Sequence, residues 1–141
     1  MNILFVLGGG IGNIVQATPA IQATASEGHK VDLKLCCNSS NDMDIFMIPG
    51  VRSVFVEKNP EIEYDFQLNG PFTPNTKFKC KSKINSRINY VQHIAEAEVY
   101  YDLAKQIGVT TPMPDCKINV GDSSADIGPE TVAIYPGSKH N

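Results

Sequence analysis

MNILFVLGGGIGNIVQATPAIQATA, residues 1–25, is the stretch on which the rest of the chain is organised. The apolar run Ile3-Leu4-Phe5-Val6-Leu7 does not alternate with polar residues, which suits a strand buried on both faces. It stops at Gly8-Gly9-Gly10, where the missing Cβ atoms let the backbone turn sharply and approach a ligand closely. A helical stretch follows from about Asn13 to Ser26, with Ile14, Val15, Ala17, Ile21 and Ala25 on its apolar face. Its first N–H groups and positive dipole end would face whatever sits over the turn. Strand, glycine turn and helix together open a nucleotide- or sugar-handling α/β domain. The competing reading is a plain tight βα turn with no ligand.

Outward from this unit, local signals predict further elements. Pro19 removes one helical hydrogen bond, so the first helix should kink or restart near Thr18, whose hydroxyl would bond back along the helix. Gly28 is expected just past the helix end. Val31, Leu33 and Leu35 alternate with Asp32 and Lys34 and predict a second strand running towards Cys36 and Cys37. A polar turn over 38–42, a short helix over 43–48 and a third strand over 53–57 follow. Tyr64–Leu68 reads as the fourth strand. Residues 71–87 read as the least structured part, with Phe78 and Tyr90 as its anchors. A long helix over 91–107 presents Ile94, Ala97, Tyr101, Ala104 and Ile107 on one face. Tyr100 and Tyr101 are expected in the core and at its rim, and Glu96, Glu98, Asp102 and Lys105 elsewhere. Gly108 stops this helix. Cys116–Val120 reads as an edge strand, 121–130 as a linker rich in Gly, Ser, Asp and Pro, and Thr131–Tyr135 as a new strand entering Pro136-Gly137-Ser138. A new strand there would start a second unit, so the chain is expected to continue or to pair back on itself.

The totals narrow the function classes. The chain has 141 residues, enough for one domain with a real core. Apolar residues make up 42% and charged residues 19%, a globular composition. A net charge of −3 argues against nucleic acid as a partner. No apolar run reaches membrane-spanning length, and Met1-Asn2 leads straight into the first strand, so the expected location is cytoplasmic. Cys36, Cys37, Cys80 and Cys116 read as reduced thiols, and His29, His93 and His140 have no metal-ligand spacing. His93 reads as a packing or capping residue.

The glycine turn fails the dinucleotide fingerprint. G-x-G-x-x-G would need glycine at Asn13 or at Val15, and no acid ends the second strand. A P-loop is absent. A small NAD(P)-binding domain is therefore the third-placed reading.

LGGGIGNIVQATPAIQA resembles the opening of glycosyltransferase family 9, the ADP-heptose:lipopolysaccharide heptosyltransferases and their relatives. Gly12-Asn13 and Thr18-Pro19-Ala20 occupy the places of the family's Gly-Asp and Thr-Pro-Ala. Pro49-Gly50-Val51, Tyr64-Asp65-Phe66, the helix ending at Ile107-Gly108-Val109 and Tyr135-Pro136-Gly137-Ser138 match further motifs in the same order. The resemblance implies an α/β, Rossmann-like three-layer domain with a mostly parallel sheet, the N-terminal half of a GT-B fold. Residues 1–120 would be the acceptor-side domain, 121–130 the linker and 131–141 the first strand and turn of a donor domain. It implies sugar transfer from a nucleotide-sugar, with ADP-heptose as the candidate donor, to an anionic glycolipid or glycan in lipopolysaccharide biosynthesis. It implies no metal and no other cofactor. These residues alone are not expected to transfer a sugar, because most of the donor site is missing.

The expected site follows from both readings. Gly9, Gly10, Gly12 and Asn13 would line the cleft, and Pro136, Gly137 and Ser138 would form a donor-side turn. Lys79, Lys81, Lys83 and Arg87 belong to a basic stretch that would hold an anionic acceptor and favour the inner face of the membrane. A solvated loop is the alternative for that stretch. Asn13 stands where the resemblance places an aspartate acting as base. A carboxamide cannot take that proton. Three accounts stay open: another carboxylate is the base, the transfer needs little base help, or the protein only binds. Asn13 also suits a helix N-cap. A non-catalytic glycan- or anion-binding module is thus the second reading of function.

Overall fold

The computed structural model describes residues 1–36, 43–57, 61–86 and 95–119. Its centre is a five-stranded sheet made of β1 (Asn2–Leu7), β2 (Lys30–Leu35), β3 (Val51–Phe55), β4 (Tyr64–Asn69) and β5 (Cys80–Asn85), in the order β3-β2-β1-β4-β5. Every pairing is parallel. β1 is the central strand, in register with β2 (Phe5 beside Leu33) and with β4 (Phe5 beside Leu68). Ile3–Leu7 are completely buried, as the unbroken apolar run requires. Each such side chain stabilises the fold by about 1.5–3 kcal/mol relative to exposure.

The first helix is divided. α1 (Ile11–Val15) and α2 (Thr18–Ser26) are separated at Gln16 and Ala17, and Pro19 stands in the first turn of α2, where its missing N–H costs nothing. The Thr18 hydroxyl donates to the Val15 carbonyl at 2.8 Å across the break, the expected back-bond. Gly28 and Gly108 have φ of +80° and +92° just past their helices, the left-handed conformation the sequence called for. α3 (Glu96–Gln106) packs on α2 and buries Ala97, Tyr100, Leu103 and Ala104. The core joins these helices to one sheet face through Phe5, Leu7, Leu33 and Leu68. On the other face Leu4, Val6 and Tyr64 are covered by residues of the strand connections, among them Ile62 and Phe78.

Several local expectations are corrected. Residues 43–48 hold only one 3₁₀ turn, Asp44–Phe46. The third strand lies two residues earlier than expected, because it starts straight after the Pro49-Gly50 turn and pairs Val51 with Val31. The supposedly unstructured 71–87 stretch contains β5. Its exposed Lys81, Ser82 and Lys83 hide the strand from a pattern search, since an edge strand is held by one neighbour's backbone rather than by an apolar face. Phe78 does anchor the approach to it, edge-on to Phe55 with ring centroids 6.1 Å apart. Residues 116–119 are not a strand. They strap the helical face: Lys117 N–H donates to Thr18 Oγ1 at 2.9 Å, and Asn119 N–H to the Ile45 carbonyl at 2.7 Å. Tyr100 is in the core and Tyr101 half-buried at its rim, as expected. Cys37, the 38–42 turn, Tyr90, His93 and Ile94, and everything from Val120 on, including the linker and the Thr131–Tyr135 strand, lie outside the described residues.

Candidate functional site

In a parallel sheet the chain leaves adjacent strands in opposite directions at one place, and a crevice opens there beyond the strands' C-terminal ends. Here that place lies between β1 and β4. Gly8-Gly9-Gly10 leaves β1, and Gly70-Pro71-Phe72 leaves β4. The two turns meet backbone to backbone. A Cβ on Gly8 would sit 2.2 Å from the Phe72 carbonyl oxygen, so only glycine fits. Gly70 N–H donates to the Val6 carbonyl at 2.9 Å, and a Cβ on Gly70 would meet Tyr100 Cε1 at 2.2 Å. Phe72 has φ of +59° and an exposed ring. Gly9, Gly10 and Gly12 are exposed, so the turn is open as a ligand-facing turn must be.

Asn13 sits above this turn, three residues into α1 from its N-cap, Gly10, and so is not the N-cap itself. Its Oδ1 accepts from Gly10 N–H at 3.1 Å, and its Nδ2 donates to Glu96 Oε2 at 2.8 Å. These two bonds orient the amide, because a flipped amide would set N–H against N–H and oxygen against carboxylate. Glu96 is the first residue of α3, where the helix dipole favours a carboxylate. Its other oxygen, Oε1, is buried and has no hydrogen-bond partner, and neither does the buried Tyr100 hydroxyl. Burial and the neighbouring Glu96 charge raise the Tyr100 pKa well above the usual phenol range. One glycine turn, one carboxamide, one carboxylate and one phenol therefore converge at the crevice with spare hydrogen-bonding capacity.

The basic stretch is not one patch. Lys79 pairs with Glu63 at 3.2 Å, and Lys81 with Asp65 at 2.6 Å. Lys83 instead donates to two neutral oxygens, Asn75 Oδ1 and the Thr76 carbonyl, each at 3.0 Å. The structure thus does not bring Lys79 or Lys81 into the glycine turn's polar cluster. Arg87, Pro136, Gly137 and Ser138 lie outside the described residues.

Glu96 was missed as a site residue, since the helical pattern assigns it away from the apolar face. The one local signal is its spacing of four from Tyr100, which puts both on one side of α3. Asp32 was missed as well. Completely buried, it accepts from Arg52 Nε at 2.9 Å, Arg52 Nη2 at 2.5 Å, Ser53 Oγ at 2.9 Å and Tyr64 OH at 2.8 Å. Burial alone would raise its pKa, but the hydrogen bonds of Arg52, Tyr64 and Ser53 and the Arg52 charge outweigh it and hold the carboxyl below its ordinary value. Among the described residues no group of three or more His, Cys, Asp or Glu is set to hold a metal ion, and no helix is long and apolar enough to cross a membrane.

Comparison with known proteins gives the fold a context. No protein-family model matches the chain, and no curated protein matches it in sequence. Solved structures do match in shape. E. coli heptosyltransferase WaaC with ADP superposes with a TM-score of 0.61 at 12% identity, over 82% of this chain and 50% of that one. The glycosyltransferase family 9 protein of Veillonella parvula DSM 2008 gives 0.62 at 12% identity, over 86% and 45%. The E. coli WaaC structure with ADP-2-deoxy-2-fluoro heptose gives 0.58 at 14% identity, over 82% and 51%. The chain therefore has the Rossmann-like fold found in these glycosyltransferases and spans about half the length of each.

Proposed function

We propose that this chain is the acceptor-side, N-terminal part of a glycosyltransferase similar to family 9 heptosyltransferases. Joined to its donor half, it would move a sugar from a nucleotide-sugar, with ADP-heptose the first donor to test, to a hydroxyl of a glycolipid or glycan. The observation that carries this reading is the Asn13–Glu96 hydrogen bond beside an open glycine turn at the sheet's switch point. The shared fold supports it.

Glu96 answers the question left by a carboxamide at position 13. Asn13 holds one carboxylate oxygen and leaves Oε1 without a protein partner. An acceptor hydroxyl takes that position when the side chains covering the buried Oε1 move aside. Its O–H bond breaks and the proton goes to Glu96. The oxygen forms the new bond to the donor's anomeric carbon, and the bond to the nucleoside diphosphate breaks with its electron pair on the leaving group. Asn13 is then a positioning residue.

The test joins this chain to a complete family 9 donor half and follows ADP release from ADP-heptose. Glu96→Gln should lower turnover by about 10²–10⁴-fold, the usual contribution of a general base. Asn13→Asp alone should not raise it, because two carboxylates at that separation cannot both stay ionised. Asn13→Asp with Glu96→Gln rebuilds a carboxylate–carboxamide pair and should recover part of the loss. A gain from Asn13→Asp alone, with Glu96→Gln silent, would mean that the base belongs at position 13 and has been lost. Acceptor binding with no turnover in any variant would make the chain a binding module.

A further inference from the structure

We propose that Tyr100 is a positioning residue for Glu96, its buried hydroxyl fixing the carboxylate oxygen Oε1 in the orientation that meets the acceptor. The inference rests on Glu96 serving as the base, as proposed above, and concerns a side chain which that reading leaves idle.

Packing alone does not account for the hydroxyl. Tyr100 is completely buried in the core that joins the helices to the sheet. Its ring fills the slot left by the missing side chain of Gly70. A Cβ there would lie 2.2 Å from Cε1 and 3.1 Å from Cζ, the carbon that carries the hydroxyl. A phenylalanine would fill the same slot and bury no polar atom. The tyrosine instead brings a hydroxyl with no hydrogen-bond partner, which costs free energy in the resting fold.

The complement of that hydroxyl stands one helical turn away. Glu96 and Tyr100 are four residues apart on α3, so they share one side of the helix. A long helical side chain leans towards the helix N-terminus, which carries the phenol end of Tyr100 towards Glu96. Glu96 Oε1 is buried without a partner as well, and the Glu96 charge acts on the phenol. A donor and an acceptor are thus neighbours without a well-aligned hydrogen bond. Asn13 holds Oε2 at 2.8 Å, so what remains to be set is the twist of the carboxylate about that contact. A carboxylate oxygen offers two lone-pair positions. With the Tyr100 ring wedged against Gly70, a small turn of the Glu96 side chain gives one of them to the phenol and presents the other to the acceptor hydroxyl. Burial and the Glu96 charge keep the phenol protonated, so Tyr100 donates a hydrogen bond and does not compete for the acceptor's proton.

The test uses the chain joined to a family 9 donor half, with ADP-heptose as donor and deacylated lipopolysaccharide as acceptor. Tyr100→Phe should lower kcat about 10-fold, the contribution of one hydrogen bond to a charged group. KM for the acceptor should stay unchanged, because the hydroxyl meets the base and not the sugar. In the Glu96→Gln background the same substitution should lower kcat no further, since the carboxylate it orients is gone. Tyr101→Phe removes the next hydroxyl on α3, which donates to the Thr111 carbonyl at 2.5 Å, and should leave kcat and KM unchanged. A second readout needs no turnover. In the 141-residue chain labelled with glutamate carrying ¹³C at Cδ, the carboxyl resonance that disappears in Glu96→Gln should shift in Tyr100→Phe and stay in place in Tyr101→Phe. Equal losses of kcat from Tyr100→Phe with and without Glu96, equal losses from Tyr100→Phe and Tyr101→Phe, or a Glu96 resonance that Tyr100→Phe leaves in place would overturn the proposal. A large loss from Glu96→Gln beside unchanged turnover in Tyr100→Phe would overturn it and leave the transfer reading standing. A silent Glu96→Gln would overturn the base assignment and this inference with it.

Discussion

Asp32 and Glu96 are both carboxylates drawn into the body of this fold, and their surroundings differ in kind. Asp32 accepts four hydrogen bonds from three side chains, which fills the lone-pair positions a carboxylate offers. Glu96 accepts one, from Asn13, and its second oxygen lies buried and bare beside an equally unpartnered Tyr100 hydroxyl. A fully satisfied buried network rigidifies the structure, whereas a bare buried acceptor costs free energy that the fold must offset elsewhere. Asp32 ties β2, β3 and β4 together on the sheet face away from the helices. Glu96 ties α3 to α1 at the one place where the sheet topology opens a crevice. The contrast separates a carboxylate saturated by its neighbours from one that keeps an oxygen without a well-formed hydrogen bond.

The largest effect that would test this contrast is on the Asp32 side. Arg52→Met strips a buried carboxylate of its cation and should cost about 3 kcal/mol in urea denaturation, the low end for a broken buried pair. The low end applies because the Arg52 side chain is 33% exposed. A cost near zero would show that Ser53 and Tyr64 alone satisfy Asp32.

The sharpest comparison is one substitution made twice. Tyr64→Phe removes a hydrogen bond to a carboxylate and should destabilise by about 1.5–3 kcal/mol. Tyr100→Phe removes a hydroxyl that forms no well-aligned hydrogen bond and has the Glu96 carboxylate beside it, and should cost clearly less than Tyr64→Phe. Equal losses would mean that the two clusters are alike and the contrast fails.

Acid should act in a defined direction and more gently. Asp32 is held below its ordinary value of 3.8, and Glu27 is lowered from 4.5 to about 2 by the Thr111 and Thr110 backbone N–H groups. A depressed carboxyl contributes stability that is present above its unfolded value and is lost as pH falls through its folded one. Unfolding midpoints should therefore drop between pH 4.5 and about 2. Arg52→Met should remove the Asp32 share of that slope and Glu27→Gln the share of the 110–111 cap. At the alkaline end the sign reverses. Tyr64 and Tyr100 both have raised pKa values, mainly by burial, so the stability they contribute is intact below the ordinary phenol value of 10.0 and is lost as pH rises above it. Absorbance at the phenolate band should rise for them only together with unfolding.

Much of the architecture was legible because its causes are local. Ile3–Leu7 can only be a central strand, since five adjacent apolar residues leave no polar face. Pro19 must kink or restart a helix, and the chain breaks its helix at Gln16 and Ala17 so that Pro19 stands in a first turn. Gly28 and Gly108 mark helix ends through their own backbone freedom. β5 was illegible for the complementary reason: Lys81, Ser82 and Lys83 carry no apolar pattern, and the bonds that hold the strand belong to β4. The strap over 116–119 misled because a run that looks like a strand lies over the helical side instead of at a sheet edge, its backbone N–H groups bonding Thr18 and Ile45.

The candidate site divides along the same line. Residue types and spacing by themselves determined the glycine turn, the carboxamide at position 13 and the alternation of strand with helix, because backbone conformation and burial periodicity are properties of neighbours in the chain. Only the tertiary structure decided that Asn13 meets Glu96, eighty-three positions away, that Lys79 and Lys81 pair with carboxylates while Lys83 bonds neutral oxygens, and that Asp32 is saturated. Those outcomes depend on which side chains the parallel crossovers bring within hydrogen-bond reach, and distance in space is not encoded by distance in sequence.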